Sequence, residues 1–244
     1  MEESEITRDT LLRGRVHLLQ PRRGLRSSLD PVLLAGFLVP PFGRFLDIGC
    51  GSGALSFLLL AHDAEARGVG VEIQPRLAAL AEQGASENAF ASRFRVVAGD
   101  VRATGAFETN AFDLVATNPP FRPVGTGVLP PLSEKALARH EVALTLKEWL
   151  DVAAVALRPQ GRLAAIFPFD RWEELRASLA SLGFCVARSR PVVSRLGAKP
   201  QRILVEARKA AVVAVVEPVL EPALIVHDEN GYSADVRHML GEKA

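Results

Sequence analysis

Asp47-Ile48-Gly49-Cys50-Gly51-Ser52-Gly53 decides how this chain reads. The apolar run Arg44 to Ile48 leading into it suits a buried strand, and Ala54 to Ala61 beyond it suits an apolar helix. Glycines at alternate positions permit a tight strand-to-helix turn and let backbone N–H groups approach a ligand at the positive end of the helix. Gly49 to Ala54 fits the dinucleotide pattern G-x-G-x-x-A, which is a weak match alone. Asp47 argues against that reading, because its charge would repel a pyrophosphate and attract an ammonium group. Cys50 reads as a small turn residue, with no basic neighbour in sequence to activate its thiol.

Outward from this turn, short apolar runs alternate with helical patterns, as in a mostly parallel α/β sheet with helices on both faces. Further strands are expected at Gly68–Ile73, Phe94–Ala98, Phe112–Thr117, Arg162–Phe167, Phe184–Arg190 and Arg202–Ala207, seven in all with the first. Helices are expected from Pro75 to about Asn88, from about Ser133 to Leu157 and from Asp170 to Leu182. Another should run from Asp30, read as an N-cap before Pro31, to Val39. Ala210 to Pro222 reads as a covering segment, and Leu224 to Ala244 as a polar tail. The expected organisation is an N-terminal basic segment and first helix (1–40), a ligand-binding α/β domain (41–209) and a C-terminal covering segment (210–244).

Two more groups fall at strand ends, where ligands of doubly wound sheets bind. Glu72 closes the second strand and suits ribose hydroxyls; Gly99-Asp100 follows the third. After the fourth stands Asn118-Pro119-Pro120-Phe121. The prolines fix the backbone and remove two donors, leaving carbonyls to accept. The Asn118 side-chain oxygen and the main-chain carbonyl at Pro119 can both accept from one amino group. A nitrogen conjugated to a ring is a poor nucleophile, and two acceptors on its hydrogens favour a tetrahedral form with an available lone pair. Phe121 offers a face on which a base can stack.

Asp47, the three glycines, Glu72 and Asp100 together resemble the S-adenosylmethionine site of Rossmann-like class I methyltransferases. That resemblance implies Asp47, Gly49, Gly51 and Gly53 near the methionine part, Glu72 on the ribose, Asp100 on the adenine amine with Val101 beside it, and Asn118 bordering the cofactor. The Asn-Pro-Pro-Phe loop resembles that of amino-group methyltransferases acting on adenine, guanine or a glutamine amide. The flanks narrow this further: Arg26-Ser27-Ser28-Leu29-Asp30-Pro31, Ala138-Arg139-His140-Glu141, Pro200-Gln201-Arg202-Ile203 and His227-Asp228-Glu229-Asn230-Gly231-Tyr232 resemble the bacterial family of tRNA1(Val) (adenine-N(6))-methyltransferases. The resemblance spans about Leu11 to Gly241 and implies methyl transfer to adenine beside the anticodon, with Asn118, Pro119, Pro120 and Phe121 holding the flipped base. Some members carry Tyr where this chain has Phe121. Alternatives are a guanine-N(2) methyltransferase of ribosomal RNA and a catalytically silent RNA-binding module. A glutamine methyltransferase of release factors normally has a helical N-terminal domain, for which about 40 residues are too few.

The 244 residues carry 29 Lys+Arg against 28 Asp+Glu, a formal net charge of +1, but the charge is uneven. Leu11 to Arg26 holds five arginines and no acid; Val186 to Lys209 holds five Arg and two Lys against Glu206 alone. Arg22, Arg23, Arg26, Arg195, Lys199 and Arg202 are therefore candidate phosphate contacts, with His140 a candidate substrate contact. His227 and Asp228 read as part of a bend. Two cysteines and no zinc-spaced cluster argue against a disulfide scaffold or a metal. With no long apolar run and an acidic start, the chain is expected to be cytoplasmic, without membrane or metal.

Overall fold

The computed structural model describes residues 5–24, 26–103, 105–119, 144–210 and 218–242. Strands β1 (Ile6–Leu11) and β2 (Val16–Pro21) form an antiparallel hairpin before helix α1 (Asp30–Phe37). Then come β3 (Arg44–Ile48), α2 (Ala54–His62), β4 (Arg67–Glu72), α3 (Pro75–Glu87), β5 (Phe94–Ala98), β6 (Phe112–Thr117), α4 (Leu146–Ala156) and β7 (Leu157–Pro168). The chain continues through α5 (Trp172–Ser181), β8 (Phe184–Val193) and β9 (Arg202–Lys209). Four two-residue strands follow: β10 (Val219–Leu220), β11 (Leu224–Ile225), β12 (His227–Asp228) and β13 (Gly231–Tyr232). Helix α6 (Ala234–Met239) comes last.

The seven expected strands all form, in the order β8-β9-β7-β6-β3-β4-β5. Strand β9 runs antiparallel to β7 and β8, and the pairings from β7 through β6, β3 and β4 to β5 are all parallel. Strands β10 and β11 add to the free edge of β8, making a nine-stranded sheet. The carboxyl ends of β3 to β8 therefore share one edge. One face is covered by α1, α2 and the hairpin around Phe45, Phe57 and Leu114; the other by α4 and α5 around Trp149, Leu163 and Leu175.

Helix α2 shows why the ends of the chain fold as they do. Its sequence ALSFLLLAH has no polar face, and seven of its nine residues are buried. A helix apolar all round must be covered on its outer side too. The hairpin does this, with Val16 and Leu18 in one cluster with Leu55, Leu58 and Leu59. Leu58 is fully buried, so Leu58→Ala should cost about 2–5 kcal/mol. Asn88 locks the hairpin to the end of α3, accepting from His17 N and donating to His17 O, both at 2.7 Å.

Helix α1 repeats the pattern, with six of eight residues buried. Its cover is α6, where a Cβ on Gly36 would meet Met239 Cγ at 2.3 Å. The C-terminal stretch is thus no polar tail: Leu224, Val226, Val236 and Met239 are buried in the same cluster as α1. Asp30 also departs from expectation. It lies inside the first turn, and Ser28 Oγ accepts from its N–H at 3.2 Å. Its carboxylate stands 3.6 Å from Arg202 Nε, and burial raises its pKa against that pairing. Of the helix expected from Ser133, Leu146 onward is seen and residues 133–143 lie outside the described ones.

Candidate active site

Two neighbouring strands bring the site together. Strands β3 and β6 end in register, Ile48 against Thr117, and the buried Thr117 Oγ1 donates to Ile48 O at 2.9 Å. The glycine turn and Asn118 thus leave the sheet side by side. The turn is hung on β4, with Gly49 N and Cys50 N both donating to Val71 O at 2.9 and 3.2 Å. Gly53 has φ of 95°, where L side chains are strained, and a Cβ there would meet the Phe57 ring at 2.6 Å. Among the described residues, a Cβ on Gly49 or Gly51 would meet nothing within 4 Å. Cys50 is buried and its thiol is pushed well up by burial, so it is inert, as expected for a turn residue.

Asp47 and Glu72 are buried, at 1% and 5% exposure. Ser56 Oγ donates to Asp47 at 2.6 Å. Glu72 accepts from Gly51 N at 2.9 Å and Gln74 N at 2.8 Å. Among the described residues neither carboxylate has a basic side chain within ion-pair distance. Burial pushes the Asp47 carboxyl up to about 7; Ser56 opposes this and the charge of Glu72 adds to it. Burial raises Glu72 as well, against bonds from Gln74, Gly51 and Ile73. Two buried acids without a cation, beside an open glycine cradle, fit a positively charged ligand.

Asn118 Oδ1 is buried with no hydrogen-bond partner among the described residues. Such an acceptor costs the fold about 1–3 kcal/mol, which a ligand N–H would relieve. Pro119 is buried beside it. Pro120, Phe121 and His140 lie outside the described residues.

At the third strand end, Asp100 is held by Arg102. Arg102 Nε donates at 3.0 Å to both carboxylate oxygens, and Nη2 at 2.6 Å to one of them. Arg102 Nη1 continues to Glu148 Oε1 at 2.7 Å, and Glu148 forms the capping box of α4 with Thr145. The guanidinium holds the Asp100 carboxyl below the usual carboxylate range. Val101 is buried between them. A cavity of about 430 Å³ opens beside this loop, lined by Val101, Arg102, Phe107, Glu148, Val152 and Val155 among others. Asp47, Glu72 and Asn118 do not line it, so it is separate from the glycine cradle.

The candidate RNA contacts fall on the same edge of the sheet. Glu5 bonds Arg76 at the first turn of α3 and accepts from Arg22 N, which puts exposed Arg22 and Arg23 at the carboxyl end of β4. Asp30 reaches Arg202, opposite Pro168 at the carboxyl end of β7. Arg22 and Asp30 thus stand on either side of β3 and β6. Arg26 is engaged within the protein, donating to Asp9, Thr7 and the Pro21 carbonyl at 2.7–3.2 Å. Arg195 and Lys199 are exposed in the turn joining β8 to β9. Sequence reasoning missed Ser56 and Arg102. Ser56 left a signal, a lone polar residue in the first turn of an apolar helix; Arg102 left none. Among the described residues no group of His, Cys, Asp and Glu is placed to hold a metal, and no helix is long and apolar enough to cross a membrane.

This sheet order, with β9 reversed and the glycine turn at its centre, defines a Rossmann-like class I methyltransferase fold. Solved structures agree: a "predicted O-methyltransferase" from Agrobacterium tumefaciens superposes with a TM-score of 0.68 at 22% identity, over 86% of this chain and 94% of that one. Geranyl diphosphate C-methyltransferase from Streptomyces coelicolor, solved with S-adenosyl-L-homocysteine, superposes at 0.53 and 13% identity, over 73% and 74%. Residues 31–168 match the Methyltransferase small domain family. A tRNA1(Val) (adenine(37)-N6)-methyltransferase of Porphyromonas gingivalis is 34% identical over 85% of this chain and 84% of its own. That of Pasteurella multocida is 28% identical over 90% of each. The chain belongs to the Methyltransferase small domain family and to the family of the tRNA1(Val) (adenine(37)-N6)-methyltransferases.

Proposed function

We propose that this protein moves the methyl group of S-adenosylmethionine to the exocyclic N6 amine of an adenosine in tRNA, adenine 37 beside the anticodon of a valine tRNA. The observation that carries this reading is the buried Asn118 Oδ1, which has no hydrogen-bond partner among the described residues and stands beside a glycine cradle backed by two acids. The relatives that match along most of the chain carry that activity in their names.

The cofactor supplies an electrophilic methyl on a sulfonium centre. Asp47, Glu72 and the backbone of Gly49, Gly51 and Gly53 would hold it, and Asp100 and Val101 would face its adenine end. Asn118 Oδ1 and the carbonyl at Pro119 accept from the two hydrogens of the adenine amine, which draws the nitrogen away from conjugation and frees its lone pair. The N–C bond would form as the sulfonium S–C bond breaks, leaving a neutral thioether. The methylated amine, made acidic by its positive charge, would lose one proton to water. Orientation and electrostatics thus do the chemistry, and no strong base is required. Pro120 and Phe121 complete the set of residues that hold the extruded base, Phe121 by stacking. Arg22, Arg23, Arg26, Arg195, Lys199, Arg202 and His140 contact the RNA. A substrate of this kind places the protein in the cytoplasm.

Nucleoside mass analysis of tRNA from cells with and without the gene tests the reading. Loss of N6-methyladenosine from valine tRNA is expected. Loss of a methylated guanosine instead would move the assignment to the guanine-N(2) reaction, which the same loop can serve.

A further inference from the structure

The strand pair β12–β13 makes no use of its most conspicuous side chains. His227 and Tyr232 face each other across the pair, with ring centroids 5.0 Å apart and planes inclined by 22°. Tyr232 is 40% exposed although its backbone is tightly held. The hold comes from three sides. His227 N donates to Ser194 O at 2.9 Å, Ser233 N to Val226 O at 3.0 Å, and Arg237 Nη1 to Tyr232 O at 2.9 Å. Buried Val226 and Val236 anchor the chain before and after.

The rings sit on the turn between β8 and β9, at the edge of the sheet where Asn118 also emerges. That turn presents Arg195, whose guanidinium donates to Asp228 O at 3.3 Å, with Leu196 at 85% exposure and exposed Lys199. The neighbouring acid Asp228 is turned onto its own loop, accepting from Asn230 N at 2.8 Å. Stacked aromatics with an open face, an apolar rim and two cations match the needs of a nucleobase and its phosphate. A rigid tyrosine offers that area at little cost in conformational entropy.

We infer that the His227–Tyr232 stack, with Arg195 beside it, is a second base-binding platform that grips a nucleotide of the tRNA other than the one methylated. The inference rests on the proposed tRNA substrate. Four strand spacings separate β6 from β11, about 19 Å at the usual spacing between strands. The platform is too far away to touch a base held by Asn118 and close enough to hold another base of the same arm. It fixes the RNA at two points, so that extruding one base does not release the strand.

The test measures binding of an unmodified valine tRNA transcript to the full-length protein at fixed salt. Tyr232→Ala should weaken binding about tenfold, the size of one lost base stack. Tyr232→Phe and Tyr232→Trp should retain affinity, because the ring and not the hydroxyl is used. Unchanged cofactor affinity and melting temperature in Tyr232→Ala would show that the loss is local. Binding by Tyr232→Ala within twofold of wild type overturns the platform, whether or not the wild type methylates the transcript. A wild type that binds through Tyr232 yet leaves every adenosine unmethylated supports the platform and overturns the proposed reaction.

Discussion

The two ends of the strand-edge crevice treat their polar groups in opposite ways. At the glycine turn, Asp47, Glu72 and Asn118 Oδ1 are buried, and among the described residues no basic side chain pairs with the two acids and nothing donates to Asn118 Oδ1. At the loop after β5, Asp100, Arg102 and Glu148 are each about one-third exposed and satisfy one another fully. Folding alone would select the second arrangement, since buried polar groups are normally paired. A ligand carrying a positive charge and an N–H would complete the first. The difference fits the proposed reading of the glycine turn, while Arg102 ties Asp100, after β5, to Glu148 at the start of α4.

Asn118→Ala is the most severe way to probe this contrast. The methylation rate should fall about a hundredfold or more, the cost of one oriented polar group at a reacting centre. Cofactor affinity should barely move, and the melting temperature should not drop, since the deleted acceptor has no partner among the described residues. A drop in melting temperature would show that Asn118 has a structural partner.

The acid pair predicts a pH dependence. The Asp47 carboxyl sits near 7 in the ligand-free protein, raised by burial from its ordinary 3.8. The fold therefore binds that proton more tightly than the unfolded chain does, so this contribution to the stability of the ligand-free protein is full below pH 3.8, is lost as pH rises to about 7 and is gone above it. A cationic ligand favours the ionised form, so cofactor affinity should rise with pH, by about tenfold between pH 6 and pH 8. Asp47→Asn should bind more weakly and with a flat profile. Calorimetry at several pH values checks both. Glu72→Ala should weaken binding by about 1–3 kcal/mol, as for a lost charged hydrogen bond.

Effects at the rim are smaller and depend on salt. Replacing Arg22 and Arg23, or Lys199 and Arg202, by Ala should flatten the slope of log tRNA affinity against log salt, by about 0.7 to 0.9 for each phosphate that is no longer neutralised. Cofactor affinity should not change. Unaltered slopes in both double variants would put the RNA on another face.

Arg102→Ala should do least. Its ion pairs are exposed enough to be screened, so stability should fall by about 1 kcal/mol or less, with only a few-fold change in cofactor affinity. A loss as large as that of Asp47→Asn would erase the distinction between the two ends.

The central sheet was legible in sequence because each βα unit is local. An apolar run of five or six residues, a glycine or proline break and a helix signal follow one another within about thirty residues. Strands β3, β5 and β6 have the bounds expected of them. The placement of Asp47, Glu72 and Asn118 at or beside strand ends was legible for the same reason. The hairpin before α1 escaped because its arginines read as a basic surface, although Val16, Leu18 and Leu19 are fully buried. Asp30 read as a cap because Asp-Pro is a common helix start, whereas its actual partner, Arg202, lies far along the chain.

What the sequence determined by itself was the succession of the seven central strands, the glycine turn and the asparagine motif, all encoded in contiguous residues. Tertiary structure alone decided how α1 and α2 are covered, since an all-round apolar helix demands a cover without naming it. The hairpin from one end of the chain and α6 from the other supply it. The state of the acids is a tertiary matter too. Asp47 is an ordinary carboxylate in the sequence, and its shift to about 7 comes from water excluded by α2 and the neighbouring strands.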